Sequence, residues 1–336
     1  MKSILYIGNK LSKHGFSATS IETLGILLEK ENFELIYASS KKNRFIRFSD
    51  MFFTTLFNAR KVDYVLIDTY STYNFWYAFV VSQICILFEK PYIPILRGGD
   101  LPNRIKSSPK FSKLIFCNSL YNVAPSTYLF NIFDNLNYPN LKLIPNTIEI
   151  GNYNFLKRNE LAPKILWVRS LSVIYNPKMA IDVLAILKTS FLEAELCMVG
   201  QEKDVRIDEL KEYADSLGVN VTFTGKLSKT DWIKLSENYD IFINTTHFDN
   251  TPVSLIEALA LGLPVVTTNV GGIPYLVRDK ETALLVNDSD SQAMADAINE
   301  LIKSPELAKE LAANGRKLAE QFDWQIVKNH WKEILK

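Results

Sequence analysis

The sequence has little net charge, few cysteines and no long apolar run, and each absence excludes a class of protein. With 38 Lys and Arg against 37 Asp and Glu, the net charge is +1, which argues against a general nucleic-acid binder because such proteins carry a strong basic excess. The three cysteines are scattered and lack metal-ligand spacing, so Cys85, Cys117 and Cys197 are predicted to be ordinary buried thiols in a reducing compartment. The longest apolar stretch, residues 75–88, is shorter than the roughly 20 residues that cross a membrane and predicts a core helix.

Two further absences narrow the class of protein. The first residues, MKSILYIG, lack the long apolar core and the cleavage site of a signal peptide, so we expect a cytoplasmic protein and disfavour a periplasmic solute-binding protein. The region after the first predicted strand contains only Gly8 and Gly15, so the G-x-G-x-x-G fingerprint of nicotinamide dehydrogenases is missing. No metal ligands are predicted, because Asp288-Ser289-Asp290 precedes a predicted helix, where Asp and Ser are common caps.

Short β-branched runs alternate with longer helical patterns along the chain, which is typical of parallel βαβ units. The predicted strands are Ile4–Ile7, Leu35–Tyr37, Tyr64–Ile67, Tyr92–Ile95, Leu114–Phe116, Leu141–Ile144, Ile165–Val168, Leu196–Val199, Val221–Phe223, Ile241–Ile243, Val265–Thr267 and Ala283–Val286. The predicted helices include Ser17–Glu31, Tyr73–Phe88, Lys178–Leu187, Ile207–Ser216, Pro252–Leu261 and Gln292–Ile302, and helical sequence continues from Pro305.

A chain of 336 residues favours two domains, and the polar segment 146–163 has the composition of a linker. We therefore predict an α/β protein with two tandem doubly wound parallel sheets. The N-terminal domain would span residues 1–150, the C-terminal domain residues 151–320, and residues 321–336 would form a terminal helix that packs back on the N-terminal domain. Ligands of such sheets bind beyond the carboxyl ends of the strands, so we expect the active site in the cleft between the sheets.

The most informative segment for chemistry runs from residue 241 to residue 277. Thr251 is predicted as the N-cap of a helix that has Pro252 at its first position. The free N–H groups at this helix start, at Val253 and Ser254, would bind a phosphate together with the Ser254 hydroxyl.

Two carboxylates accompany this helix start: Asp249 stands just before it and Glu257 lies within the helix. Carboxylates only accept hydrogen bonds, which suits the hydroxyl groups of a ribose or a sugar. Equally, Asp249 could cap the helix and Glu257 could form a surface salt bridge. The residues alone leave both interpretations open.

These two acidic residues, with seven residues between them, precede Ala-Leu-Ala-Leu-Gly-Leu-Pro-Val-Val and a Gly-Gly turn, and the whole resembles the donor-binding signature of glycosyltransferase family 4. The resemblance covers the C-terminal half of the chain. It implies the GT-B fold, two Rossmann-like domains that face each other across a cleft, and metal-independent transfer from a UDP- or GDP-sugar with retention of anomeric configuration. Glu257 would hold the ribose hydroxyls, and Asp249, where the family usually has Glu, would contact the transferred sugar.

The same resemblance assigns four more residues to the nucleotide-sugar, which is the donor substrate; no separate cofactor is predicted. Arg169 and Lys178 would bind the donor diphosphate, Arg as a bidentate fork and Lys as a point charge. Gly225 and Lys226 would belong to the turn that lines the base. The C-terminal domain is therefore predicted to bind the donor and the N-terminal domain the acceptor.

In the N-terminal half, Gly15 resembles the glycine of an acceptor-side loop whose backbone approaches the transferred phosphate. Arg97 stands where many relatives have a His that contacts the donor sugar. Because Arg cannot act as a general base, we expect it to stabilise phosphate charge, with Asp100 as its orienting partner. The alternative is an internal Arg–Asp pair. The predicted catalytic residues are thus Arg97, Asp100 and Asp249.

The predicted activity is transfer of a sugar to a saccharide or lipid-linked saccharide, in the synthesis of cell-surface polysaccharide or glycoconjugates. A nucleotide-sugar epimerase of the same fold is an alternative. A non-catalytic binding or scaffold relative is another, because Arg97 and Asp249 depart from the family pattern.

Charge is divided unevenly along the chain: residues 1–155 contain 17 Lys and Arg and 11 Asp and Glu, whereas the remainder contains 21 and 26. The N-terminal half is therefore expected to face something anionic. Basic and apolar residues are interleaved between positions 41 and 48, namely Lys41, Lys42, Arg44, Phe45, Ile46, Arg47 and Phe48. They could rest on an anionic bilayer, which would place the protein on the inner face of the membrane, or form a solvated helix face.

Overall fold

The computed structural model describes residues 1–16 and 18–336, and the chain divides into two compact units. The N-terminal unit contains residues 1–147 together with residues 324–336, and the C-terminal unit contains residues 148–323. Each unit is built on a six-stranded sheet in which neighbouring strands run parallel. The two sheets confirm the predicted α/β class.

The sheet of the N-terminal unit has the strand order β2-β1-β3-β4-β5-β6. Its strands are β1 (Ser3–Ile7), β2 (Glu34–Ala38), β3 (Tyr64–Thr69), β4 (Tyr92–Leu96), β5 (Asn122–Ala124) and β6 (Leu141–Leu143). The helices between them are α1 (Ser20–Lys30), α2 (Arg44–Asn58), α3 (Asn74–Leu87), α4 (Leu101–Ser107), α5 (Pro109–Phe116) and α6 (Thr127–Asn135).

The central strands of this sheet are apolar because both of their faces are covered, as expected for a parallel sheet. Successive side chains of a strand point to opposite faces. Ile4 and Tyr6 of β1 pack in the core beside α1, whereas Leu5 and Ile7 pack in the core that contains residues of α2 and α3.

Three predictions for the N-terminal half need correction. Cys117, predicted as a buried thiol, is exposed, whereas Cys85 and Cys197 are buried as predicted. Residues 114–116 were predicted as a strand and form the end of helix α5 instead; Pro109 begins this helix, and Ser112, Ile115 and Phe116 form its buried face. A three-residue apolar run fits either period, so its periodicity could not decide between strand and helix. The predicted helix start at Ser17 lies outside the described residues, and α1 begins at Ser20 after a capping box formed by Thr19 and Glu22.

The sheet of the C-terminal unit has the strand order β12-β11-β10-β7-β8-β9, which is the order of dinucleotide-binding folds. Its strands are β7 (Lys164–Val168), β8 (Glu195–Val199), β9 (Thr222–Gly225), β10 (Ile241–Asn244), β11 (Val265–Thr268) and β12 (Leu284–Val286). Its helices are α7 (Pro177–Leu187), α8 (Ile207–Ser216), α9 (Lys229–Leu235), α10 (Val253–Ala260), α11 (Ile273–Leu276), α12 (Ser291–Lys303) and α13 (Pro305–Glu320).

The last helix, α14 (Trp324–Ile334), returns to the N-terminal unit. Trp324, Val327 and Trp331 are buried in the same core as Ile4 and Tyr6. The two chain segments that leave the C-terminal unit run side by side, since the Ile148 N–H donates to the Phe322 carbonyl at 2.9 Å.

A helix that crosses a bilayer must be long and apolar, and none within residues 1–16 and 18–336 meets both requirements.

Candidate functional site

The strand order of the C-terminal unit predicts where a ligand binds. Strands β7 and β10 are neighbours, and the chain continues from them toward opposite edges of the sheet. Loops that leave the carboxyl ends of such a pair diverge and open a crevice for ligands. Arg169 follows β7 directly, and Asp249 lies in the loop between β10 and α10. The structure brings these two predicted residues together as an ion pair.

The Arg169 side chain is held from several sides. Its guanidinium carbon lies 4.2 Å from the centroid of the Tyr175 ring, a cation–π contact. Its backbone N–H donates to the Val199 carbonyl at 3.0 Å. Burial lowers the pKa of Arg169 from its ordinary value, because desolvation disfavours the charged form. A cation in such a setting interacts strongly with an incoming anion, because little water screens it.

Gly200 permits this arrangement, a role that the sequence pattern did not reveal beyond a tight turn. A Cβ atom on Gly200 would lie 1.7 Å from the Arg169 carbonyl oxygen, so any side chain would displace the Arg169 backbone. The Gly200 N–H also donates to the Gly225 carbonyl at 2.9 Å, which joins the ends of β8 and β9. Gly225 has a φ of +68°, a conformation that favours glycine.

The Asp249 loop rests on the Gly-Gly turn of the sequence signature. A Cβ atom on Gly271 would lie 2.3 Å from the Asp249 carbonyl oxygen, and one on Gly272 would lie 1.9 Å from that of Asn250. The Gly272 N–H donates to the Asp249 carbonyl at 2.8 Å. The Asp249 carboxylate pairs with Arg169 and accepts from the Asn250 N–H at 2.7 Å. The Asp249 carboxylate therefore forms an ion pair with Arg169 and does not cap α10.

Helix α10 begins one residue later than predicted: Pro252 is the N-cap residue, and Val253 is the first helical residue. The expectation of Thr251 as N-cap was therefore wrong. The N–H groups of Val253 and Ser254 at the first positions of the helix have no partner within it. The Ser254 hydroxyl is buried and has no hydrogen-bond partner among the residues that the structure describes. These donors suit a phosphate.

Glu257 lies on α10 and is 5% exposed. Its Oε1 accepts from the Tyr153 hydroxyl at 2.7 Å and pairs with the Lys229 ammonium group at 2.6 Å. Burial, followed by the charge of Glu257, raises the pKa of Tyr153, so the phenol stays protonated and remains a donor. The sequence pattern did not reveal Tyr153, because it lies in the predicted linker, or Lys229, because it is far from Glu257 along the chain.

The remaining predicted donor residues have less specific surroundings. Lys178, the second residue of α7, is exposed, and its amino group lies 5.0 Å from the centroid of the Tyr213 ring on α8. Lys226 follows β9 and is exposed. Thus the structure groups Arg169, Asp249 and the backbone of Gly225 at the carboxyl ends of the strands, whereas Lys178 packs against α8.

The N-terminal unit contains a second charged cluster at the carboxyl ends of its strands. Arg97 follows β4, and its Nε lies 3.2 Å from Asp68 Oδ1 on β3. Arg97 Nη1 donates to Asn146 Oδ1 at 2.7 Å, and the Tyr6 hydroxyl donates to Asp68 Oδ1 at 3.2 Å. The expected Arg97–Asp100 pair is replaced: Asp100 is exposed at the start of α4 and accepts from Asn103 at 2.7 Å.

The Arg97–Asp68 pair is buried, with side-chain exposures of 11% and 0%. Burial raises the pKa of Asp68, and Arg97 opposes that rise. Burial is the largest influence on the pKa of Arg97 and acts to lower it, but Asp68, Tyr6 and Tyr70 together outweigh burial, so the pKa of Arg97 is raised. The fold thus holds a positively charged guanidinium at this edge of the sheet through partners that are distant in sequence.

Gly15 lies in the loop after β1, where it ends a short 3-10 turn with a φ of +87°. Glu22, on α1, accepts from the backbone N–H groups of Ser12 and Thr19, each at 3.1 Å, and so fixes both sides of this loop. Ser17 of the predicted loop lies outside the described residues.

His247 and the acidic residues of segment 288–290 have partners within the protein. Within the described part of the chain, no group of three or more His, Cys, Asp or Glu residues could hold a metal ion. His247 Nδ1 lies 2.8 Å from Asp288 Oδ1. Asp290 caps α12 and accepts from the Ala293 N–H at 2.9 Å, which confirms the interpretation of this segment as a cap.

The architecture is shared with solved structures. Anabaena HepE in complex with UDP superposes with a TM-score of 0.77 at 18% sequence identity, over 100% of this chain and 99% of that one. Identity this low shows the fold alone. Together with the two six-stranded parallel sheets, it identifies a GT-B fold.

The sequence comparisons then show which family the C-terminal unit resembles. Residues 153–318 match the family described as glycosyl transferases group 1. The chain is 34% identical over 122 residues to the D-inositol 3-phosphate glycosyltransferase of Rhodococcus jostii (strain RHA1), covering 36% of this chain and 27% of that protein. It is 32% identical over 151 residues to the capsular polysaccharide biosynthesis glycosyltransferase CapM of Staphylococcus aureus, covering 44% and 38%.

The C-terminal unit is thus similar to the glycosyl transferases group 1. The matched segments span less than half of the length of these two curated relatives.

Proposed function

We propose that the protein is a glycosyltransferase that moves a sugar from a UDP- or GDP-sugar to a saccharide or lipid-linked saccharide. One observation carries the proposal: Arg169, whose side chain is 12% exposed, an open helix N-terminus and the buried Glu257 carboxylate lie on the segments that follow the central strands β7 and β10 of the C-terminal sheet. A nucleotide-sugar carries a negative diphosphate between a ribose and a sugar, both rich in hydroxyls. The arginine and the helix N–H groups can bind the diphosphate, and a carboxylate can accept hydrogen bonds from hydroxyls.

In this proposal Arg169 and the N–H groups of Val253 and Ser254 bind the donor diphosphate. Glu257 pairs with Lys229 and Tyr153 through Oε1, and it accepts from the ribose hydroxyls through its other carboxylate oxygen. Asp249 contacts the transferred sugar, and it must then exchange part of its pairing with Arg169 for sugar hydroxyls.

Three further assignments complete the donor site. The turn at Gly225 and Lys226 lines the base. Lys178 reaches the diphosphate only after leaving Tyr213, because its amino group lies over that ring in the structure. The HepE structure is a complex with UDP, which supports a uridine nucleotide as the first donor to test.

The chemical step requires a negative nucleoside diphosphate to leave. Preorganised positive groups lower a barrier most where charge develops in the transition state. Arg169 and the N-terminus of α10 supply such groups on the donor side. We propose that transfer retains anomeric configuration without a metal, as the resemblance to family 4 implies.

The N-terminal unit is proposed to bind the acceptor, with Gly15 in the approaching loop and Arg97 as the charged contact. Asp68 and Asn146 hold Arg97 through two different nitrogens of its guanidinium group. The name of the CapM relative supports an acceptor in cell-surface polysaccharide synthesis. We propose that the protein acts on the cytoplasmic side of the membrane.

Donor binding is tested by thermal unfolding in the presence of UDP-, GDP-, ADP- and CMP-sugars. A ligand at about 100 times its Kd stabilises the folded protein by about 2.7 kcal/mol. Ser254→Ala is the sharp variant, because it removes a hydroxyl that has no partner within the described residues. It should leave the free protein equally or more stable and weaken nucleotide binding about tenfold or more, the value of a hydrogen bond to a charged group.

Glu281→Gln serves as the control, since this exposed residue pairs only weakly with Arg278 at 3.4 Å. It should bind nucleotide like the unchanged protein. Transfer is then measured as acceptor-dependent release of nucleoside diphosphate. Stabilisation by no nucleotide, or conversion of the donor into its epimer without an acceptor, would overturn the proposed activity.

A further inference from the structure

The outer surface of helix α2 is unusual for a helix that faces water. Its inner side is buried at Met51 and Thr55, yet Phe45, Phe53 and Phe57 on the outer side are 71%, 52% and 64% exposed. A helix at the surface of a globular protein normally presents polar residues to water, and one that is apolar all round is normally buried. The outer side of α2 therefore calls for an apolar environment.

The apolar surface continues onto the neighbouring helices. Helix α3, which packs against α2, contains no charged residue, and Tyr73 and Trp76 at its start are exposed. The ring of Trp76 lies 5.1 Å from that of Phe111 on α5, which is also exposed. The exposed aromatic side chains of α2, α3 and α5 are here called the aromatic face: Phe45, Phe53, Phe57, Tyr73, Trp76 and Phe111.

The segments that carry the aromatic face contain many basic residues and almost no acidic residues. Residues 41–61 contain six Lys and Arg and one acidic residue, and residues 101–117 contain four and none. The guanidinium carbon of Arg44 lies 5.1 Å from the centroid of the Tyr73 ring, so charge and aromatic surface adjoin directly. The positive excess of the N-terminal half is thus concentrated around this face.

We propose that the aromatic face docks on an anionic lipid bilayer. Aromatic side chains with a basic border match the interface of such a membrane, where Trp and Tyr sit at headgroup level and Lys and Arg bind anionic lipids. A second copy of the chain fits less well, because a symmetric contact would set these basic borders against each other.

Docking would also serve the proposed function, on which this step rests. The segment that leads into α2 adjoins the Gly15 loop, since His14 Nε2 lies 2.9 Å from the Ser40 carbonyl oxygen. The basic start of α2 and the acceptor loop therefore share one edge of the N-terminal unit. A lipid-linked acceptor held at the bilayer surface would reach this loop without leaving the membrane.

The structure provides an intrinsic probe for the test. Four of the five tryptophans, Trp167, Trp232, Trp324 and Trp331, are buried, whereas Trp76 is 37% exposed and lies on the aromatic face. Docking should shift tryptophan fluorescence to the blue and protect it from acrylamide. The full chain is titrated with vesicles of phosphatidylcholine alone and of phosphatidylcholine mixed equally with phosphatidylglycerol, and binding is checked by co-sedimentation.

We expect binding to the mixed vesicles and weakening by salt. The double variant Phe53→Ser/Phe57→Ser should bind at least about tenfold more weakly, and Lys41→Gln/Lys42→Gln should lose about fivefold for each charge removed. Leu192→Ser, which removes an 85% exposed apolar side chain from the C-terminal unit, should bind like the unchanged protein. Equal melting temperatures would show that the variants are folded.

Three results would overturn docking: no binding to mixed vesicles, equal binding to phosphatidylcholine alone, or binding that Phe53→Ser/Phe57→Ser leaves unchanged. Self-association in the absence of lipid that the same variant abolishes would assign the aromatic face to a second copy instead. Nucleoside diphosphate release with a water-soluble acceptor is measured without vesicles, so failure of docking and failure of sugar transfer are distinguished.

Discussion

Replacing Arg97 by Met should destabilise the N-terminal unit strongly, because it leaves the Asp68 carboxylate buried without its arginine partner. The two groups lie 3.2 Å apart with side-chain exposures of 11% and 0%. At an effective dielectric constant of 20, unit charges at this distance attract by about 5 kcal/mol. Removal of one partner from a buried pair costs about 3–5 kcal/mol, and we expect Arg97→Met to fall in this range at neutral pH.

The same variant should show a pH dependence of definite sign. Burial raises the pKa of Asp68 in the folded protein, and Arg97 is the main group that opposes the rise. Without Arg97, the folded-state pKa rises further above the unfolded value. At low pH the carboxyl is protonated in both states, and its burial costs little. As the pH increases from the unfolded-state pKa through the raised folded-state pKa, the destabilisation of the folded protein grows. The destabilisation should therefore be larger at about pH 8 than at about pH 5, since buried carboxyls can shift by about 3–5 units.

Urea unfolding of the full chain measures this difference, with one transition fitted for each unit because a two-unit chain need not unfold in a single step. Glu333→Gln is the matched control in the same unit. It breaks a pair with Lys142 at 3.4 Å whose side chains are 58% and 38% exposed, and such exposed pairs contribute about 0–1 kcal/mol. A loss below about 1 kcal/mol for Arg97→Met, or an equal loss at both pH values, would refute the reasoning.

Two further substitutions test the packing around the site and the terminal helix. In urea unfolding, Gly200→Ala should destabilise the C-terminal unit by more than Gly225→Ala, because a Cβ at Gly200 would lie 1.7 Å from a carbonyl oxygen. A Cβ at Gly225 would lie in open space, so Gly225→Ala costs only the strain of a φ of +68°, about 1–2 kcal/mol. Equal losses for the two variants would contradict the clash at Gly200. Trp331→Ala should destabilise the N-terminal unit by about 3–5 kcal/mol in the same assay, against a small effect of Ile326→Ala, which is exposed on the same helix; similar effects of the two would argue against a packed terminal helix.

The sheet of the C-terminal unit and much of the loop between β10 and α10 could be predicted from sequence, because they depend on local pattern. Strands β7 and β10 were predicted to within one residue at each end, since a buried parallel strand is a nearly continuous apolar run. Once these strands are placed, the topology brings the residues that follow them to one edge. That Arg169 and Asp249 share an edge therefore follows from the sequence, whereas their direct ion pair does not.

The partners of the predicted residues could not be found in this way, because side chains meet across strands through register. Asp68 is one residue beyond the predicted end of its strand, and β3 in fact continues to Thr69, which pairs in register with Leu96 beside Arg97. Asp100 is near Arg97 in sequence and was expected as its partner for that reason alone. Tyr153 was missed for the opposite reason, since a segment of polar composition gave no sign that one of its side chains enters the core.

The N-terminal unit is discontinuous in the chain, and this has a consequence for synthesis on the ribosome. Residues 324–336 complete its core, yet they are translated only after the whole C-terminal unit, residues 148–323. Domains usually fold in the order in which they emerge, at about 5–20 residues per second. Here the second unit is complete first, while the side of the first sheet that Trp324, Val327 and Trp331 later cover stays open to water. A frameshift late in the message would thus release a chain with an intact C-terminal unit and an exposed apolar surface, which is a natural substrate for chaperones.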